Sequence, residues 1–178
     1  MEMTSERRIA ASRRTVWAAL NNPEILKQAI PGCESLEIQS PTDMTARVKL
    51  TVGPVKATFK GKVKLSDLDP PNGYRISGEG NGGVAGYAKG GATVRLTDDG
   101  AGTLMHYDVK ADVGGKLAQL GGRLIDSTAK KLADEFFEKF SAIVGGEPAN
   151  AGGSGAASKK IGWFKRWFGR RNKAAAHA

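Results

Sequence analysis

Cysteine is nearly absent. Cys33 is the one thiol in 178 residues, which excludes an intramolecular disulfide and fits a reducing cytoplasm. Histidine is almost as scarce, with His106 and His177 alone, and neither HxxxH nor CxxC spacing occurs, so no metal site is expected. No apolar run approaches the roughly 18 residues of a spanning helix, and the N-terminal MEMTSERRIAASRR has no hydrophobic core of signal-peptide length. The chain is therefore expected neither to be secreted nor to cross a membrane. Acidic residues are missing from its last part: none follows Glu147, whereas Lys159, Lys160, Lys165, Arg166, Arg170, Arg171 and Lys173 supply seven of the 27 basic residues. What precedes them holds 20 basic and 18 acidic residues, so most of the net charge of +9 is carried by a tail and does not mark a nucleic-acid-binding domain.

What is present is organised around an amphipathic stretch at 115–144. Leu117, Leu120, Leu124 and Thr128 recur at three- and four-residue spacing, and the stripe continues through Leu132, Phe136, Phe140 and Ile143, which predicts one long helix. Gly121, Gly122, Ser127 and Thr128 thin its first half, while Phe136, Phe137 and Phe140 crowd its second. The first half is expected to roof a space and the second to seal a core.

The chain before this helix supplies the sheet it needs. Residues 3–9 read as an edge strand, and Ser12 caps a helix over Thr15, Val16, Trp17 and Leu20 that breaks at Asn21-Asn22-Pro23. Residues 24–30 give a second short helix before Pro31-Gly32. From Cys33 the period changes to two. The clearest strand turns Val55, Ala57, Phe59, Gly61, Val63 and Leu65 to one face and Lys56, Lys60, Lys62 and Lys64 to the other. Tyr74, Ile76 and Gly78, then Ala92, Val94 and Leu96, then Met105, Tyr107, Val109, Ala111 and Val113 extend the dry face. The class is α+β: an antiparallel sheet of about seven strands curled around one long C-terminal helix, with two short helices after the first strand. Ala57, Gly61, Gly78, Ala92 and Ala111 are small where a filled core would want branched side chains, so an interior cavity is expected, the alternative being close helix packing.

Residues 78–91, GEGNGGVAGYAKGG, hold no phosphate-loop pattern. So many glycines are not expected in an ordinary strand throughout, and they read as bulges and a rim carrying Val84, Tyr87 and Ala88, either a gate for an apolar ligand or a surface hairpin. The cavity is expected to be lined from the sheet by Phe59, Ile76, Val84, Tyr87, Met105 and Tyr107, and from the roof by Leu117, Leu120, Leu124 and Thr128. No paired carboxylates point inward, and alternation places His106 on the outer face. No catalytic residue is assigned, which reads as a binding protein more than an enzyme.

The rest of the chain divides in two. Residues 145–158 are rich in Gly, Ala and Ser and read as a flexible linker joining a folded domain at 1–144 to a tail at 159–178. On a helical wheel Ile161, Trp163, Phe164, Trp167 and Phe168 share one face while Lys165, Arg166, Arg170 and Lys173 share the other, and Arg171 joins the same membrane-binding set. That segregation, with Trp at its edge, predicts a segment lying on an anionic membrane surface; a groove in another protein and single-stranded nucleic acid are the alternatives.

Four blocks in order, EMTSERRIAASRRTVWAALNNPEILKQAIPGCESLE, VGPVKATFKGKVKLSDLDPPNGYRISGEG, AGYAKGGATVRL and GGKLAQLGGRLIDSTAKKLADEFFEKF, resemble the G-subunit family of carbon monoxide dehydrogenase over residues 1–144. The resemblance implies a helix-grip fold of the START/polyketide-cyclase-like superfamily. It also implies a respiratory quinone held non-covalently in the cavity and a molybdenum-containing carbon monoxide dehydrogenase or related hydroxylase as partner. Under it, Tyr87, Tyr107 and Thr128 would offer hydroxyls to a quinone carbonyl. The chain would be a cytoplasmic monomer on the inner face of the cell membrane, with no nucleic-acid partner. A ligand-free recruitment adaptor using the basic outer sheet face is the first alternative and a cyclase-like enzyme the second.

Overall fold

The computed structural model describes residues 1–145, so the tail residues and all but the first residue of the expected linker lie outside the described part. Strand β1 (Glu2–Ile9) leads into α1 (Arg13–Leu20) and α2 (Pro23–Ala29). Then come β2 (Cys33–Ser40), β3 (Asp43–Val52), β4 (Val55–Asp69), β5 (Gly73–Asn81), β6 (Tyr87–Asp99), β7 (Gly102–Gly114) and the long helix α3 (Gly122–Gly145). The seven strands form one antiparallel sheet in the order β1-β7-β6-β5-β4-β3-β2. Every neighbour except β1 is joined by a hairpin, and β1 closes the outer edge of β7. Ser12 caps α1 by accepting from the Thr15 amide, and the Asn22 side chain caps α2 ahead of Pro23 at the first helical position.

The sheet coils around α3 because its inner face is apolar and its outer face is not. Phe140 and Ile9 are wholly buried, with Met105, Tyr107, Leu96 and Val94 packed around the second half of α3. The Tyr107 ring stacks on Phe137 at 5.3 Å between centroids, and Trp17 meets Tyr74 edge-on at 5.2 Å. Thr103, the one buried polar residue of the described chain, donates to the Ala11 carbonyl at 2.6 Å and ties β7 to the start of α1.

Two expectations change here. The helix does not start at 115: Gly115 and Gly121 have φ of +71° and +89°, so the chain makes a single helical turn at Ala118–Leu120, breaks, and begins α3 at Gly122. Leu117 and Leu120 keep their spacing but stand on a separate support. The glycine-rich segment, in turn, is ordinary strand on both sides of a short link. Pairing runs without a register shift from Gly73↔Arg95 to Asn81↔Tyr87, and only residues 82–86 leave the ladder. Glycine is needed because a Cβ at Gly90 would sit 2.0 Å from the Lys110 carbonyl oxygen, and one at Gly91 2.6 Å from that of Ile76. Coiling brings the backbones too close for side chains. The irregular registers lie elsewhere, in β2 and near Asp67, which has φ of +50° at the end of β4.

The molecule has two unlike poles along the strand direction. Gly53-Pro54, the 82–86 link and the 115–121 segment meet at one pole, beside the start of α3. At the other lie the turns carrying Asp67, Asp69, Asp98 and Asp99, the helices α1 and α2, and the end of α3, where Gly145 sits against Ala10.

Candidate functional site

Pairing register decides where the sheet is thin. Ala46, Gly61, Gly80, Ala88 and Val113 stand side by side across five strands, and the adjacent inward row is Met44, Val63, Gly78, Gly90 and Ala111. The first half of α3 lies above these rows and brings Ile125, Thr128, Ala129 and Leu132. Small floor and modest roof do not meet, and a cavity of about 320 Å³ remains between them. Val48, Leu50, Val52, Phe59, Val113 and Leu117 wall it, and Met1 reaches its edge from the amino end, where the terminal ammonium donates to the Ala111 carbonyl at 2.9 Å. The volume falls at the small end of the roughly 300–1,000 Å³ of ligand pockets.

The lining is almost wholly apolar. Thr128 carries its one side-chain hydroxyl, and that hydroxyl donates to the Leu124 carbonyl of its own helix at 2.8 Å. No lining side chain titrates. The cavity therefore offers a ligand removal from water and shape, without proton transfer.

Of the sequence-predicted lining residues, Phe59, Leu117 and Thr128 border the cavity. Leu120 packs behind the wall against the cluster of Val52, Phe59, Ala85 and Leu117, and Leu124 lies at the rim, where a Cβ on Gly53 would be 2.7 Å from its Cδ2. Ile76, Met105 and Tyr107 face inward as expected, yet lower, in the filled core under the phenylalanines. The Tyr107 hydroxyl is buried beside Arg7, which lies over the Phe137 ring and pairs with Asp134, and it lacks a hydrogen-bond partner among the described residues. Val84 and Tyr87 are 79% and 52% exposed, because Val84 caps the link and Tyr87 turns outward over Gly114. Neither the Tyr87 nor the Tyr107 hydroxyl reaches the cavity. The residues missed, above all Val48, Leu50, Ile125 and Ala129, were inward by alternation or by the helical stripe; their height along the sheet was the missing datum.

Other candidate chemistry lies apart. His106 stands on the outer face, 3.4 Å from both Glu6 and Asp108. Burial pushes the Cys33 thiol up against the opposing charge of Lys27, and its sulfur donates to the Ser35 carbonyl. Among the described residues no three His, Cys, Asp or Glu side chains converge as a metal-ligand set, and no helix is long and apolar enough to cross a membrane. A wider groove of about 860 Å³ crosses the outer face, but the alternating row Lys62, Glu79, Lys89 and Asp112 makes it an open, charged surface unlike an enclosed site.

Comparison with known proteins agrees with this geometry. A family model described as the G subunit of carbon monoxide dehydrogenase (CoxG) matches residues 6–145. A conserved protein from Geobacillus kaustophilus is 29% identical with a TM-score of 0.75, over 79% of this chain and 93% of that one. A START superfamily protein from Mycobacterium smegmatis shares 14% identity and a TM-score of 0.62, over 80% of this chain and 96% of that one. A protein from Thermus thermophilus shares 19% identity and a TM-score of 0.56, over 80% and 98% of the two chains. The latter two establish a common fold. No curated protein matches the chain.

Proposed function

Because the chain belongs to the CoxG family, the G subunits of carbon monoxide dehydrogenase, we propose that it is a non-catalytic carrier that takes an isoprenoid quinone from the membrane and presents it to a molybdenum-containing carbon monoxide dehydrogenase or related hydroxylase. One observation carries the reading: a cavity of about 320 Å³ with an apolar lining, left open where Gly61, Gly80, Ala88 and Ala111 lie under a short-side-chain stretch of α3. A cavity without free hydrogen-bonding groups suits the isoprenoid tail better than the quinone ring. Each buried CH₂ contributes about 0.8 kcal/mol, so one five-carbon segment contributes about 4 kcal/mol, nearly a thousandfold in affinity. The ring then stays toward the cavity edge, accessible to the enzyme that reduces it. The basic amphipathic tail keeps the carrier on the inner face of the membrane, as a peripheral monomer.

Mass spectrometry of organic extracts from the purified full chain tests the reading. A stoichiometric quinone or similar isoprenoid lipid is expected. Ala129→Phe places a ring in the cavity and is expected to abolish that lipid without lowering the melting temperature, since the void accepts the added volume. Protein purified under mild conditions that never retains lipid, in either form, would replace the carrier by an adaptor. Such an adaptor would work through the outer face of β3 and β4, where Arg47, Lys49, Lys56, Lys60, Lys62 and Lys64 project and none makes an ion pair within the described chain.

A further inference from the structure

The pole above the cavity is built unlike the rest of the surface. Segments 52–56, 82–88 and 114–124 converge there, and together they contain Lys56, Lys116 and Arg123 but no acid. All three bases are exposed. Val84 stands at the apex, 79% exposed, with Pro54 exposed near it and Tyr87 half-exposed at its side. Val84 and Tyr87 are two of the four large apolar residues that the described chain leaves exposed.

This display is held from below. The Leu117 amide donates to the Ala85 carbonyl at 3.0 Å, the Gly82 amide to the Gly86 carbonyl at 2.8 Å, and the Gly83 amide to the Asn81 side chain at 2.7 Å. Ala85, one residue after the apex, is buried against Val52, Phe59 and Leu117, three walls of the cavity. A Cβ on Gly83, Gly121 or Gly122 would meet nothing within 4 Å, so the rim has open space around its apex. An apolar residue held outward on converging segments whose only charges are cations matches an anionic lipid surface: the apex enters the acyl boundary while the bases meet the head groups. At the opposite pole Arg8 and Arg13 are already engaged by Asp99 and Asp98, which leaves them less free to meet head groups.

We propose that the pole formed by Val84, Tyr87, Pro54, Lys56, Lys116 and Arg123 is a second membrane contact, separate from the tail, which seats the cavity end of the domain on an anionic bilayer. The inference deepens the carrier reading and takes from it the purpose of the contact, but the contact itself is measurable without any carried ligand.

The test uses the full chain in a Cys33→Ser background, with an environment-sensitive fluorophore attached to Val84→Cys or, at the other pole, to Ala101→Cys. The vesicles are phosphatidylcholine with phosphatidylglycerol and contain no quinone. The label at 84 is expected to shift to the blue and be quenched by doxyl-labelled lipid, and the label at 101 to stay aqueous. Lys116→Glu with Arg123→Glu is expected to reduce the lipid-quenched fraction at 84 at least several-fold while the protein still sediments through its tail. A label at 84 that stays aqueous on protein that has sedimented with vesicles overturns the proposal, and if that label responds only when the dehydrogenase is added, the pole is a protein contact instead. Insertion at 84 without any co-purifying lipid would leave this contact standing and remove the carrier reading alone.

Discussion

At the scale of single residues, two positions on α3 separate core from cavity. Phe140 is wholly buried and stacks on Phe136 at 5.4 Å between centroids. Phe140→Ala is expected to destabilise the domain by about 3–5 kcal/mol, read from the urea midpoint. Ala129, three turns earlier, faces the void and accepts enlargement. The contrast follows from what each finds on the sheet: aromatic and branched side chains under Phe140, glycine and alanine under Ala129. Alternation made the facing of nearly every strand residue legible, including Met105, Tyr107 and Ile76. It could not give their height, because a period of two assigns a face and repeats identically along the strand. Height depends on hairpin register and on where the helix begins, and both are long-range quantities. That is why three inward residues expected at the cavity belong to the filled core, while Val48 and Leu50 were overlooked and Ala88, expected at the rim, lines the cavity itself.

At the scale of elements, the edges of the sheet are the informative parts. β1 pairs only with β7, from Glu2↔Lys110 to Ile9↔Thr103, and three of its four outer side chains, Glu2, Glu6 and Arg8, are charged, as suits an edge. Thr4 donates to the Asp108 carboxylate at 2.7 Å, and this bond, with a lesser part from His106 and Arg95, holds that carboxyl below the ordinary range. A carboxyl depressed by folding adds stability above its unfolded value and loses that contribution as the pH falls through its folded one. Amide protection in residues 2–8 is therefore expected to fall below about pH 4 before that of β6 does, and Asp108→Asn is expected to remove the difference. Hydrogen exchange by mass spectrometry reads both. The cap at Ser12 was plain in the sequence because a cap is a local event, whereas Asn22, read there only as part of a break, proves to cap α2. The start of α3 was not: Leu117 and Leu120 satisfy the helical spacing from a separate turn, and only the backbone angles of Gly115 and Gly121 distinguish the two.

At the scale of the whole molecule, the placement of α3 governs reach. Its 24 residues span about 36 Å, from the cavity pole to Gly145 beside Ala10 at the opposite one. Whatever follows residue 145 thus departs from the end farthest from Val84. If the Gly-, Ala- and Ser-rich sequence of 145–158 acts as the proposed tether, its fourteen residues would reach about 50 Å at most, with a coil span of about 20 Å. Under the proposed tail anchoring, the domain would be a tethered weight whose cord is fixed to the wrong end for loading. To stand on its cavity pole such a tethered domain would have to invert and draw the cord taut along its own flank; released, it would swing the same pole away from the membrane. Removing eight residues of the cord leaves about 20 Å, less than the helix it must run alongside. The label at Val84→Cys is then expected to lose its contact with lipid while the protein still sediments with vesicles. Tether length, set outside the cavity altogether, would divide the carrier's time between its two docks.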